Sequence, residues 1–189
     1  VANDQTLTGT LLIAMPQLED PNFRRTVMLI VEHDENGTFG LVLNRSVDLL
    51  ASTLCASLDI KWRGSPEANI HWGGPVEPDS GWLLLNHPDV VDLDDPAIAR
   101  VGEQDLFLAR SVEVLRNASS QSLGDLRFYL GYAGWGPGQL EFEMSHGAWL
   151  VAPPNREMVF KSSNDSMWDE SVRSLGIDPA SLVSTQGIH

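Results

Sequence analysis

The ten residues Gly131-Tyr-Ala-Gly-Trp-Gly-Pro-Gly-Gln-Leu140 constrain this chain most, because five of them are glycine or proline and two are large aromatics. Such a composition specifies a backbone path. Ahead of it, Leu126-Arg-Phe-Tyr-Leu130 reads as a strand. Behind it, Pro137 suits the first position of a helix, where its missing N–H is not needed. Gly134 and Gly136 are expected to supply positive φ or permit close backbone approach, and Gly138 to present a bare first-turn amide to an anion. The element is thus expected to be a strand, a tight turn and a helix start. It names no reaction: no Lys-Ser/Thr pair follows as in a P-loop, and no strict GxGxxG is present. A structural turn is the simpler reading, and a ligand cradle the alternative.

Around this segment, short β-rich runs alternate with helical patterns. Residues 10–14 read as a strand, and residues 27–31 and 39–44 as a hairpin over Asp34-Glu-Asn-Gly37. Both hairpin strands are almost continuously apolar, which predicts cover on both faces. Ser46 is expected to cap a helix over 47–58. Strands are expected at 70–72, 82–86, 105–109 and 148–151, a helix capped by Ser111 through 118, and a helix over 165–174 with Gly176 just beyond its end. Asp178-Pro179 then starts a final turn. Strands and helices are interspersed without regular βαβ spacing. The expectation is a single α+β domain over 1–189, with a mostly antiparallel sheet and a few flanking helices.

At 189 residues the chain is large enough to bury a core without disulfides or metal staples. The single cysteine, Cys55, sits at an apolar helical position and reads as a packing residue. No apolar run approaches the roughly 20 residues needed to span a bilayer, and no signal-peptide pattern opens the chain, so a cytoplasmic location without membrane contact is expected. The net charge of −14, from 26 acidic and 12 basic residues, disfavours direct nucleic-acid binding, which depends on neutralising phosphates. The acidic run Asp89-Val-Val-Asp-Leu-Asp-Asp95 reads as a solvated loop or edge; it lacks the glycine and distal Glu of a calcium loop.

Candidate chemistry converges on three places. In simple hairpin register, Arg25 stands opposite Arg45, and two like charges so placed need something negative between them. Glu19 or Asp20 would be an internal partner; a phosphate or carboxylate ligand is the alternative, since guanidinium groups pair with such anions. His33, between Glu32 and Asp34, has no nucleophile or second histidine at a motif spacing, and reads as a turn residue. His71, His87 and His146 are scattered, with no metal-binding spacing, so neither metal nor cofactor is expected. Gln139 and Glu143 fall on one face of the helix after Pro137. Tyr132 and Trp135 are rings that either line a groove or plug the core. The candidate ligand-binding residues are Arg25, Asn44 and Arg45 at the hairpin end, Gly73 and Gly74 in a Gly-Gly-Pro loop, and Tyr132, Trp135 and Gln139 around the glycine-rich segment. No catalytic residue is assigned.

Several motifs then occur together in order: Leu7-Thr-Gly-Thr-Leu-Leu-Ile-Ala-Met-Pro16, Asp20-Pro-Asn-Phe23, Thr26-Val-Met-Leu-Ile-Val-Glu-His33, Gly37-Thr-Phe-Gly-Leu-Val-Leu-Asn-Arg45, His71-Trp-Gly-Gly-Pro-Val76, the Gly131 segment, and Trp168 with Leu175-Gly-Ile-Asp178. In these the chain resembles the YqgE/AlgH family of bacterial proteins over nearly its whole length. The resemblance implies a mixed α and β fold with coiled, bifurcated sheets, no established enzymatic activity, and a name attached to transcriptional regulation. The expected function is that of a non-enzymatic cytosolic protein acting through contacts with a protein partner. The alternative is an enzyme or sensor binding a small anionic ligand where the hairpin end, the Gly-Gly-Pro loop and the glycine-rich turn meet.

Overall fold

Apolar runs bounded by turn residues become the first strands. The computed structural model describes residues 6–86, 92–103, 105–120 and 125–184, so His87 and the start of the acidic run lie outside the described residues. Strand β1 (Leu11–Ala14) precedes the hairpin of β2 (Val27–Asp34) and β3 (Gly37–Val42). Met28↔Val42, Leu29↔Leu41 and Ile30↔Gly40 hold the expected register, and a bulge beyond Ile30 then shifts it by one residue. The next segment departs from expectation. Residues 46–50 form a strand, β4 (Ser46–Leu50), and the helix α1 (Ala51–Ser57) starts only after it, with Leu50 and not Ser46 at its N-cap. Pairing of β4 with β5 (Asn69–Trp72), Ser46 opposite His71, draws the first half of the helical pattern into the sheet.

Strands β6 (Val76–Leu85), β7 (Ile98–Arg100) and β8 (Phe107–Ala109) follow, then α2 (Val112–Ser120), whose first turn donates from the Val114 amide to Ser111 Oγ at 3.4 Å. The glycine-rich segment is mostly strand: β9 runs unbroken from Leu126 to Trp135. The tight turn is confined to 136–138, before α3 (Gln139–Ser145), and Pro137 lies ahead of the helix rather than in it. Positive φ falls at Gly131 (φ 74) and Gly138 (φ 73), not at Gly134 or Gly136. The chain ends in β10 (Trp149–Ala152), α4 (Arg156–Lys161), α5 (Met167–Ser174) and α6 (Pro179–Ser184). Short β7 and α4 carry no strong sequence pattern and were not expected.

Among the described residues the strands form one curled, mostly antiparallel sheet in the order β10-β1-β2-β3-β9-β6-β8-β7. It forks at β9. One edge of β9 runs along β6, while the other pairs in parallel with β5 at Tyr129 and Leu130 and then antiparallel with β3 from Ala133 to Trp135. At the fork the Gly73 amide donates to Leu130 O at 2.7 Å, and the Gly73 carbonyl accepts from the Val42 amide at 2.8 Å. Three backbones meet here with no room for side chains. A Cβ on Gly73 would strike the Gly131 carbonyl oxygen, one on Gly74 the Tyr132 backbone, and one on Gly131 the Gly74 carbonyl oxygen.

Curling the sheet produces a half-barrel with three packed regions. Its interior holds Leu29, Leu41, Leu84, Leu108 and Tyr129, plugged by α4 and α5 through Phe160, Trp168 and Val172. The outer face of the β1–β3 half packs Met28, Ile30 and Trp135 against Leu140 of α3. That of the β6–β8 half packs Leu83, Leu85 and Phe107 against Cys55 of α1 and Leu115 of α2. The two lips approach where Gly9 meets Gly102, a Cβ on Gly9 lying 2.9 Å from the Gly102 Cα.

Candidate functional site

The residues singled out from sequence occupy separate places. At the open end of the hairpin, Asn44 is buried, its Oδ1 accepting from the Val27 amide at 2.9 Å and its Nδ2 donating to Arg25 O at 2.9 Å. Arg45 donates to the carbonyls of Pro21, Asn22 and Arg24, each at 2.8 Å, clamping the loop before β2. Burial lowers its pKa, partly offset by Asp20. Arg25 pairs with Asp169 at 3.2 Å and lies 4.3 Å from the centre of the Trp168 ring. The negative partner is thus supplied by α5, not by Glu19 or Asp20. Gly73 and Gly74 are consumed by the fork. Gln139 accepts from the Gly136 amide and donates to Glu143. Trp135 is buried and donates to Glu143 Oε2 at 3.0 Å, as Trp149 does at 2.8 Å. Tyr132 is partly buried against the interior core, its ring 4.8 Å from that of Phe39.

A concave polar site lies elsewhere. The parallel pairing of β5 with β9 sets His71 opposite Tyr129 and brings Arg127 alongside. A cleft of about 440 Å³ opens here, walled by Trp62, Leu126, Phe128 and Phe160 and edged by Arg63, Ser65, Asn69 and Asp125. Arg127 is half-buried; its Nη1 lies 3.0 Å from His71 Nε2, and its Nη2 donates to the Phe160 carbonyl. A guanidinium can only donate, so His71 Nε2 must accept and the neutral ring carries its proton on Nδ1. Burial, reinforced by Arg127, lowers the His71 pKa to about 4. The imidazole is therefore neutral at neutral pH. Among the described residues His71 Nδ1 and the Tyr129 hydroxyl are buried with no hydrogen-bond partner, and burial raises the tyrosine's pKa.

Asp125, two residues before Arg127, accepts from Asn86 Nδ2 at 2.8 Å; among the described residues no carboxylate forms an ion pair with Arg127. In a chain of net charge −14 a half-buried cation without a counter-ion is costly. His33 lies in β2 and not in the turn, its Nδ1 2.8 Å from Thr38 Oγ1 and its Nε2 3.3 Å from Glu141 of α3. Among the described residues no group of three or more His, Cys, Asp or Glu is placed to hold a metal. Arg127 had a sequence signal: it is a lone charge inside an apolar strand run. Its meeting with His71 had none, because that rests on a lateral pairing of distant strands.

A second cavity, of about 520 Å³, is the mouth of the half-barrel between its lips. Val31 and Phe39 form one side, Ile98, Leu108 and Arg110 the other, with Trp82 between them. Its wall is more apolar than that of the cleft.

Known proteins place the whole chain. Residues 11–180 match the family described as AlgH-like. A UPF0301 protein of Myxococcus xanthus (strain DK1622) is 39% identical over 186 residues, covering 98% of this chain and 99% of that protein. The solution structure of the AlgH protein from Pseudomonas aeruginosa superposes with a TM-score of 0.75 at 33% identity, covering 100% of this chain and 98% of that one. A crystal structure of a Corynebacterium diphtheriae protein gives a TM-score of 0.72 at 25% identity, over 95% and 91% of the two chains. Since the match spans the strands on both sides of the fork and the helices between them, this chain belongs to the AlgH-like family.

Proposed function

We propose that this protein is a non-enzymatic binding protein for a small anion, a carboxylate or phosphate held at Arg127 in the cleft between β5, β9 and α4. The observation that carries this reading is the half-buried Arg127 guanidinium, hydrogen-bonded to a neutral imidazole and a carbonyl, with no carboxylate partner among the described residues. Those two contacts use part of its donor set, and the remaining N–H groups suit the paired geometry of a carboxylate or phosphate. Arg63 adds a second cation at the rim, and Trp62 and Phe128 offer apolar area to the rest of the ligand. This moves the anion site from the hairpin end, where both arginines have internal partners, to the far side of the fork.

Calorimetric titration with inorganic phosphate, benzoate and a nucleoside monophosphate tests the reading. At least one should bind, and Arg127→Gln should weaken it by about tenfold or more, the loss expected for a charge-assisted pair. Equal binding by wild type and variant, or no binding of any anion at millimolar concentration, would sink it.

Action through a protein partner is the second reading, favoured by Phe142, which is 65% exposed on α3, its ring tilted against that of His146 with centroids 4.3 Å apart. Exposed aromatics anchor many interfaces. Any influence on transcription would then be indirect, through that partner. Phe142→Ser should abolish partner capture without lowering the melting temperature; capture that survives the change excludes this surface.

A further inference from the structure

We propose that the mouth of the half-barrel is a second ligand site, taking an amphipathic monocarboxylate whose apolar body lies on Phe39, Trp82, Ile98 and Leu108 and whose carboxylate pairs with Arg110. One side of the mouth touches the other where Gly9 meets Gly102. Its volume, about 520 Å³, falls within the range of small-molecule sites, which recur in the mouths of β-barrels. The two rings that line it, Phe39 and Trp82, lie 5.0 Å apart, and each also meets Tyr132, at 4.8 Å and 6.2 Å. Phe39 and Trp82 are only partly buried against the interior core. Seating an apolar chain on them would remove the remaining apolar surface from water.

Charge at the rim decides which end of a ligand faces out. Arg110 follows directly on β8; its guanidinium lies 5.0 Å from the centre of the Trp82 ring, and its Nη2 donates to Ser80 Oγ at 3.2 Å. Among the described residues it has no carboxylate partner. Stacking on the indole holds the guanidinium at the edge of the apolar wall with N–H groups to spare. Among the described residues Trp82 Nε1 is buried with no acceptor. Glu32, on the opposite lip, is exposed to solvent, which screens its repulsion of an anion. A cationic head group would meet Arg110 directly and is disfavoured. A protein strand is disfavoured as well, since the lip strand β7 has only three residues to pair with.

Decanoate, with decanol and decyltrimethylammonium as controls of equal chain length, tests the assignment by calorimetry and tryptophan fluorescence. Decanoate should bind in roughly the micromolar range, and both controls more weakly by about tenfold or more. Arg110→Gln should reduce decanoate to the level of decanol, and Arg110→Lys should retain part of the preference. Trp82→Leu should weaken decanoate and decanol alike. Arg110 is exposed, so its variants should melt with the wild type. In Arg127→Gln, which removes the anion site of the cleft beside β5, the preference for decanoate over decanol should persist and should still be lost on adding Arg110→Gln, which separates the two sites. The proposal is overturned if decanol or the ammonium binds as tightly as decanoate. It is equally overturned if Arg110→Gln has no effect, or if decanoate does not bind up to about millimolar concentration.

Discussion

At the scale of single residues, burial decides what each notable side chain does. Trp135 is 7% exposed and packs in the core with its indole N–H on Glu143, so its weight is structural. Cys55 is 2% exposed, and burial raises its thiol pKa, consistent with packing. His71 gives a testable pH dependence. Its folded pKa, about 4, lies below the usual 6.5 of an unfolded chain, so the unfolded state binds the extra proton between those values. The stability linked to this group is complete above pH 6.5 and is lost as pH falls toward 4, a swing of about 3 kcal/mol given a pKa near 4. Urea unfolding at pH 4.5 and pH 7 should show a smaller pH difference for His71→Gln, which can still accept from Arg127, than for the wild type. Identical pH differences would mean that His71 titrates normally.

At the scale of elements, the fork explains why two glycine motifs far apart in the chain are needed together. Gly131 holds a left-handed backbone at φ 74 against the Gly74 carbonyl, whereas a Cβ on Gly134 would find its nearest neighbour, the Tyr132 ring, at 3.6 Å. Gly131→Ala should therefore cost at least about 2 kcal/mol from the left-handed conformation and the displaced backbone together. Gly134→Ala should melt close to wild type. Thermal denaturation of the pair checks this, and equal melting temperatures would show that the fork tolerates a side chain. The turn chemistry at Asp34-Glu-Asn-Gly37 and the apolar runs beside it made the first hairpin legible. Residues 46–50 misled because Val47 and Leu50 fit helical spacing, while pairing of Ser46 with His71 settled the segment as strand.

For the whole molecule, charge sets the partners. With 26 acidic residues against 12 basic, the chain should form no salt-sensitive complex with mixed-sequence duplex DNA tighter than about micromolar at physiological salt. Fluorescence anisotropy with labelled duplexes at several salt concentrations measures this, and a tight complex that weakens steeply with salt would contradict it. Arg110 and Arg127 stand out against this acidic background. Each is a guanidinium at a cavity, and neither forms an ion pair among the described residues.

Local order was written in the sequence. The hairpin and its register as far as the bulge, the strand into the glycine-rich segment, the cap at Ser111 and the family follow from neighbours a few positions apart, where periodicity and turn chemistry act. The places where chemistry gathers were decided by tertiary structure. Arg25 meets Asp169 because α5 packs across the sheet, and Arg127 meets His71 because β5 lies parallel to β9 on one branch of the fork. Lateral strand pairing and helix docking are chosen by burial of the whole core, to which every apolar residue contributes at once, so no short stretch of sequence specifies them alone.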